Sequence, residues 1–260
     1  ERALHLVAQR VGAVLGLGLL ASHAQPGGGS DAPSAWGGPH LGGSMSKLFG
    51  DNKTFTTTME IQAKEGRAGD TTIPGKLSFD DGKSRFEMDM TKMKNSKMPP
   101  GALEQMKAMG MDSVVVISRP DKKSSYMIYP GLKAYAEMPL KESESPEAIS
   151  KLKVETTKLG EEKVDGHPCV KNKVVVTDAK EKKQEFTVWN ATDLKSFPVK
   201  LETTEGGGVV TMVFKDVKLA KPEGKLFEPP TDLKRYDNMM TLMQEEMMKK
   251  MGGGFPPPGR

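Results

Sequence analysis

Between Phe55 and Val217 the apolar residues recur at a spacing of two in short runs, and Gly, Pro, Asp and Ser punctuate the gaps between runs. A period of two suits a half-buried strand and cannot keep one face of a helix apolar. Phe55, Thr57, Met59, Ile61 and Ala63 share one face of a first strand, and Phe86, Met88 and Met90 share one face of another. Leu77 and Phe79 precede the second run across Asp80-Asp-Gly-Lys83, where Asp-Gly between alternating runs is a strong hairpin signal. Strands follow at 113–118, 124–129 and 133–137, then at 154–161, 168–177, 184–191, 198–204 and 209–217.

Helical spacing is rare by comparison. Leu103, Met106 and Met109 recur at that spacing after Pro99-Pro100, and Pro146 opens a turn or two before Lys151. A longer candidate begins at Asp232, where Tyr236, Met239, Met240, Met243, Met247 and Met251 fall on one stripe at 100° per residue. About ten strands with so few helices favour a mainly β (α+β) fold with an antiparallel sheet over alternating βαβ units. A sheet that long must curl or be covered to bury its apolar face.

The ends of the chain have different compositions. Arg2 and Arg10 flank an apolar run from Val11 to Ala21, and Ser22-His23-Ala24 carries small residues two apart. The run is about 11 residues where a bilayer needs roughly 20, so 1–24 reads as a secretory signal peptide. No Cys follows the run to accept a lipid, so the mature protein is expected to be exported, periplasmic or extracellular, soluble, and without an anchor or transmembrane segment. Residues 25–50 begin Gly- and Pro-rich and read as a flexible tether. The expected organisation continues with a β domain at 51–234, a Met-rich amphipathic helix at 235–251 and a disordered tail at 252–260.

Catalytic and metal chemistry find little to work with. Cys169 is the one cysteine, which excludes an intramolecular disulfide, and only His40 and His167 lie beyond the leader. No zinc spacing, calcium loop or phosphate-cradling glycine motif is present, so neither an enzyme nor a cofactor is expected. The 38 basic and 34 acidic residues are interspersed without clusters, which argues against nucleic acid as a partner.

Three segments resemble a known family: Lys158-Leu-Gly-Glu-Glu-Lys-Val-Asp-Gly-His-Pro-Cys169, Val188-Trp-Asn-Ala-Thr-Asp-Leu-Lys-Ser-Phe-Pro198 and Leu226-Phe-Glu-Pro-Pro230. Together they resemble the secreted bacterial domain-of-unknown-function family 4412, similar in fold to the LolA/LppX-like periplasmic lipoprotein-carrier superfamily. The resemblance implies a half-barrel sheet with one or two short helices on its concave side and an apolar cavity for acyl chains.

The expected function is therefore to bind a lipid, acyl chain or other hydrophobic ligand. The candidate lining is Met59, Ile61, Phe79, Phe86, Met88, Tyr126, Ile128, Phe186 and Val188. Met239, Met240, Met243, Met247 and Met251 form a candidate lid or a helix for an envelope protein partner, since thioethers adapt to many apolar surfaces. Two alternatives stand beside this reading. One is an interaction module with a filled interior that meets its partner through the Met helix. The other is Cu(I) binding by Met88, Met90, Met93, Met106, Met109 and Met111, because thioethers are soft ligands.

Overall fold

The structure is a computed structural model that describes residues 43–64, 70–95, 97–205 and 208–250. The expected signal peptide, most of the expected tether, Met251 and the C-terminal tail lie outside these residues.

Thirteen strands form one sheet: β1 (Thr54–Lys64), β2 (Thr71–Asp80), β3 (Lys83–Asp89), β4 (Lys94–Asn95), β5 (Ser113–Arg119), β6 (Ser124–Tyr129), β7 (Ala134–Pro139), β8 (Lys153–Val164), β9 (His167–Thr177), β10 (Lys183–Ala191), β11 (Phe197–Glu205), β12 (Gly208–Lys218) and β13 (Lys234–Tyr236). The order is β13-β7-β6-β5-β3-β2-β1-β12-β11-β10-β9-β8, with β4 beside β2. All pairings are antiparallel except β13 with β7. Four short helices accompany the sheet: α1 (Gly43–Ser46), α2 (Ala102–Ala108), α3 (Pro146–Ser150) and α4 (Met239–Lys250). The mainly β antiparallel sheet expected from the alternating runs is thus what forms, curled as the resemblance implies.

Two meanders build it. The chain winds outward from β1 to β7, crosses to the far edge at β8, and winds back until β12 pairs with β1 in the middle. The crossing uses only residues 140–152, which include α3. Ten strand intervals separate β7 from β8, which at about 4.8 Å each is about 48 Å in a flat sheet. The connector reaches under about 40 Å, given its helical residues. A flat sheet is therefore excluded, and the curl follows from chain length.

Curling creates a concave face that must be filled. In β1 the alternation is strict: Phe55, Thr57, Met59 and Ile61 are buried between half-exposed neighbours. Leu48 and Phe49, in the 3-10 turn after α1, plug the bowl. The Phe49 ring lies 4.7 Å from Phe55, 5.6 Å from Phe197 and 5.7 Å from Phe214, distances at which tilted and edge-on pairs attract. The expected tether therefore ends before residue 50, because Phe49 is 1% exposed and belongs to the core. Gly43 lets α1 approach the connector, since a Cβ there would stand 2.7 Å from the Ser143 carbonyl and 2.8 Å from Ile149.

The convex face has a smaller core of its own. Val115, Ile117, Tyr126 and Ile128 are buried beneath Phe227, which is fully enclosed. Arg85 donates to the Leu226 carbonyl and Arg119 to the Phe227 carbonyl, each at 3.2 Å. Arg119 also pairs with Asp121 at 2.7 Å and with Glu228. The segment Leu226-Phe-Glu is thus a strap on the outside of the sheet. At the far edge, β8 carries Lys153, Glu155, Lys158 and Glu161 and a bulge between Lys158 and Gly160, devices that blunt an unpaired edge.

Gly75 marks the tightest point within the sheet. Its missing side chain faces the Phe86 ring, and a Cβ would meet the Glu87 carbonyl at 2.6 Å and Phe86 at 2.8 Å. Gly75→Val should therefore lower stability by about 1–3 kcal/mol through overpacking. An unchanged urea midpoint would contradict this packing.

Candidate functional site

The candidate site is the concave apolar face beneath α4. The inner side of α4 is built by Met239, Leu242, Met243, Glu246 and Met247, spaced three and four apart so that they face the sheet together. Leu242 is fully buried, while the three methionines pack partly buried against the core. The helix sits over β7 and β13 at one side of the bowl.

Polar contacts fasten the helix. Lys234 Nζ lies 2.8 Å from Glu245 Oε2, and the Tyr236 hydroxyl lies 3.1 Å from the same oxygen. The hydroxyl also reaches Glu246, whose other partner is Lys249 at 2.6 Å. The Lys234 ammonium stands 4.4 Å from the centre of the Tyr236 ring, within cation–π range. Lys234 and then Tyr236 hold the Glu245 carboxyl below its usual range. Burial opposes ionisation of Glu246, but Lys249 and Tyr236 outweigh it and leave that carboxyl low as well. Burial pushes the Tyr236 hydroxyl up, and Glu246 adds to the effect.

The expected lining divides between two faces. Met59, Ile61, Phe79, Phe86, Met88, Phe186 and Val188 lie in the single core cluster of the concave side. Tyr126 and Ile128 do not join them, because they belong to the convex cluster under Phe227. The bowl is closely filled, with Phe49 and Val188 at 1% exposure and Met212 and Val114 the loosest at 8% and 9%. A shallow depression of about 450 Å³ does exist, where Met59 and Met88 are joined by polar residues such as Thr58, Glu60, Lys76 and Glu87.

The helix also departs from expectation. Tyr236 is in β13, held by parallel pairing with Ala136, and helix begins only at Met239. Met240 is 79% exposed and faces away from the sheet, so it is no part of the inner stripe. Leu242 and Glu246 take the central positions that the methionine spacing left unnamed.

The six methionines of the copper alternative are dispersed in burial. Met88 and Met111 are buried, Met90 packs on the core, and Met93, Met106 and Met109 are half-buried. They do not present one accessible set. His167 has a partner that spacing did not reveal, since its Nδ1 lies 2.8 Å from Asp193 Oδ2. Cys169 donates to the His167 carbonyl at 3.4 Å, and burial pushes its thiol up, which opposes nucleophile chemistry. Among the described residues no group of three or more His, Cys, Asp or Glu is placed to hold a metal ion. No helix among them is long and apolar enough to cross a membrane.

A curled antiparallel sheet whose concave side is packed by the turn after α1 and by α4 defines a half-barrel class of β protein. The chain belongs to the family described as domain of unknown function DUF4412, whose profile matches residues 55–196. Among solved structures it is similar to a LolA superfamily protein of Nitrosomonas europaea at 8% identity, covering 71% of this chain and 94% of that one, with a TM-score of 0.37. It is similar also to LprF of Mycobacterium bovis (10% identity, 70% and 94% coverage, TM-score 0.36) and to lipoprotein LppX of Mycobacterium tuberculosis (12% identity, 73% and 94%, TM-score 0.33). No curated protein matches it.

Two solution experiments probe this geometry. The Cys169 thiol should react with a disulfide reagent at neutral pH far more slowly in the folded protein than after denaturation; equal rates would mean that it is not buried. Because Glu245 and Glu246 are held low, their contribution to docking of α4 is complete above the usual carboxyl value of 4.5. It is lost as pH falls through the lower folded values. Hydrogen exchange at the Leu242 amide, corrected for intrinsic rates, should therefore accelerate below that pH before the β1 amides do.

Proposed function

We propose that the protein is an exported, non-enzymatic binding protein that holds a hydrophobic ligand, an acyl chain or similar, against the concave face when α4 moves aside. The single observation that supports this most is the construction of the cover. One face of the sheet is continuously apolar, and α4 meets it through three thioethers and one buried leucine. Thioether side chains are unbranched and adapt to irregular apolar partners, so the surface under them tolerates a replacement of similar chemistry. Removal of a ligand's apolar surface from water supplies the driving force. Export rests on the leader-like run at 11–21 with Ser22-His23-Ala24 behind it.

A second reading is favoured by the filled bowl: a module that binds nothing inside and meets a protein partner through α4. The two readings separate in one experiment on the mature chain. The neutral fluorophore N-phenyl-1-naphthylamine should bind, and Leu242→Ser should tighten apparent binding by about threefold or more, since a larger fraction of molecules is open. Native mass spectrometry of protein from its own host should show co-purified ligand mass. No fluorophore uptake by either form and no added mass would overturn the binding reading and leave the interaction module.

A further inference from the structure

We propose that the hydrophobic ligand is an anionic amphiphile, and that α4 occupies its place by imitation, with Glu245 and Glu246 standing where the ligand's acidic head binds. This rests on the reading above and names the ligand's class.

The argument follows from which groups leave with the helix and which remain. Lys234 and Tyr236 are two apart on β13, so their side chains share the face that meets α4, while Arg235 points the other way to Glu137 at 3.0 Å. Both belong to the sheet. Their carboxylate partners belong to the helix, with Lys234 at 2.8 Å and Tyr236 at 3.1 Å from Glu245. When α4 lifts, Glu245 and Glu246 leave Lys234 and Tyr236; Lys249 and Lys250 leave with them, so the helix carries no net charge and the change is in local pairing. The half-exposed Lys234 ammonium and the hydroxyl of Tyr236, a residue 5% exposed in the closed state, are left at the rim without their carboxylate partners.

Such groups favour a replacement anion, because a charge-assisted hydrogen bond is stronger than a neutral one. The apolar part of the imitation is equally matched. Met239, Leu242, Met243 and Met247 form a track of about 12 Å along the helix beside that polar end. An acid head followed by an aliphatic chain is the chemistry that fits both parts at once. A carboxylate and a phosphate monoester share it.

Binding of oleate, oleyl phosphate and oleyl alcohol below their micellar concentrations, measured by fluorophore displacement on the mature chain, tests the proposal. At least one acidic ligand should bind about tenfold or more tighter than the alcohol, and the preferred one identifies the head as carboxylate or phosphate. The double variant Lys234→Gln with Tyr236→Phe should erase that preference without weakening the alcohol. Glu245→Gln with Glu246→Gln, which loosens the imitation, should tighten the acidic ligands. Equal binding of acid and alcohol, or a preference that survives the double variant, overturns the head-group site but leaves hydrophobic binding standing. If none of the three binds, the binding reading itself falls.

Discussion

The shortness of the crossing between β7 and β8 governs the rest of the molecule. A connector of this length cannot join the two far sides of a flat sheet, so the sheet curls, and the curl gives it an inside. An inside lined by Phe55, Met59, Phe86 and Phe186 has to be occupied by something other than water. Phe49 fills its middle, and the connector and α4 cover the remainder. At the candidate site that filling is a single helix fastened by a few polar contacts.

Much of this architecture was legible from alternation. β1 and β3 follow the period of two, and Asp81-Gly82 and Asp165-Gly166 make the tight turns their sequence specifies, with positive φ at both positions. Legibility failed where both faces of a strand are covered. In β6 every residue from Ser125 to Tyr129 is buried, so no alternation remains to say which side of the sheet Tyr126 and Ile128 face. The cover was hidden for another reason. β13 is three residues long and donates its backbone to an edge, while Tyr236 keeps helical spacing to Met239 and Met240 and so reads as helix. Glu246 looks like a solvated charge until its partner, ten residues earlier in a different element, is brought beside it.

The family match takes in most of the concave apolar face but none of the helix that covers it. Residues 55–196 supply most of the sheet, whereas Phe49, the Phe227 strap, β13 and α4 all lie outside them.

The seam between β1 and β12 bears on how the molecule comes into being. Thr57 and Lys215, which meet across that seam, are separated by 158 residues, so the two meanders can each form locally but join only after nearly the whole domain is available. Closing so long a loop is entropically demanding, and sheets of this kind fold slowly. A chain that completes its central seam last stays open along two long edges until then. The same ordering makes the interval before closure the one in which unpaired edges of β1 and β12 are exposed to neighbours.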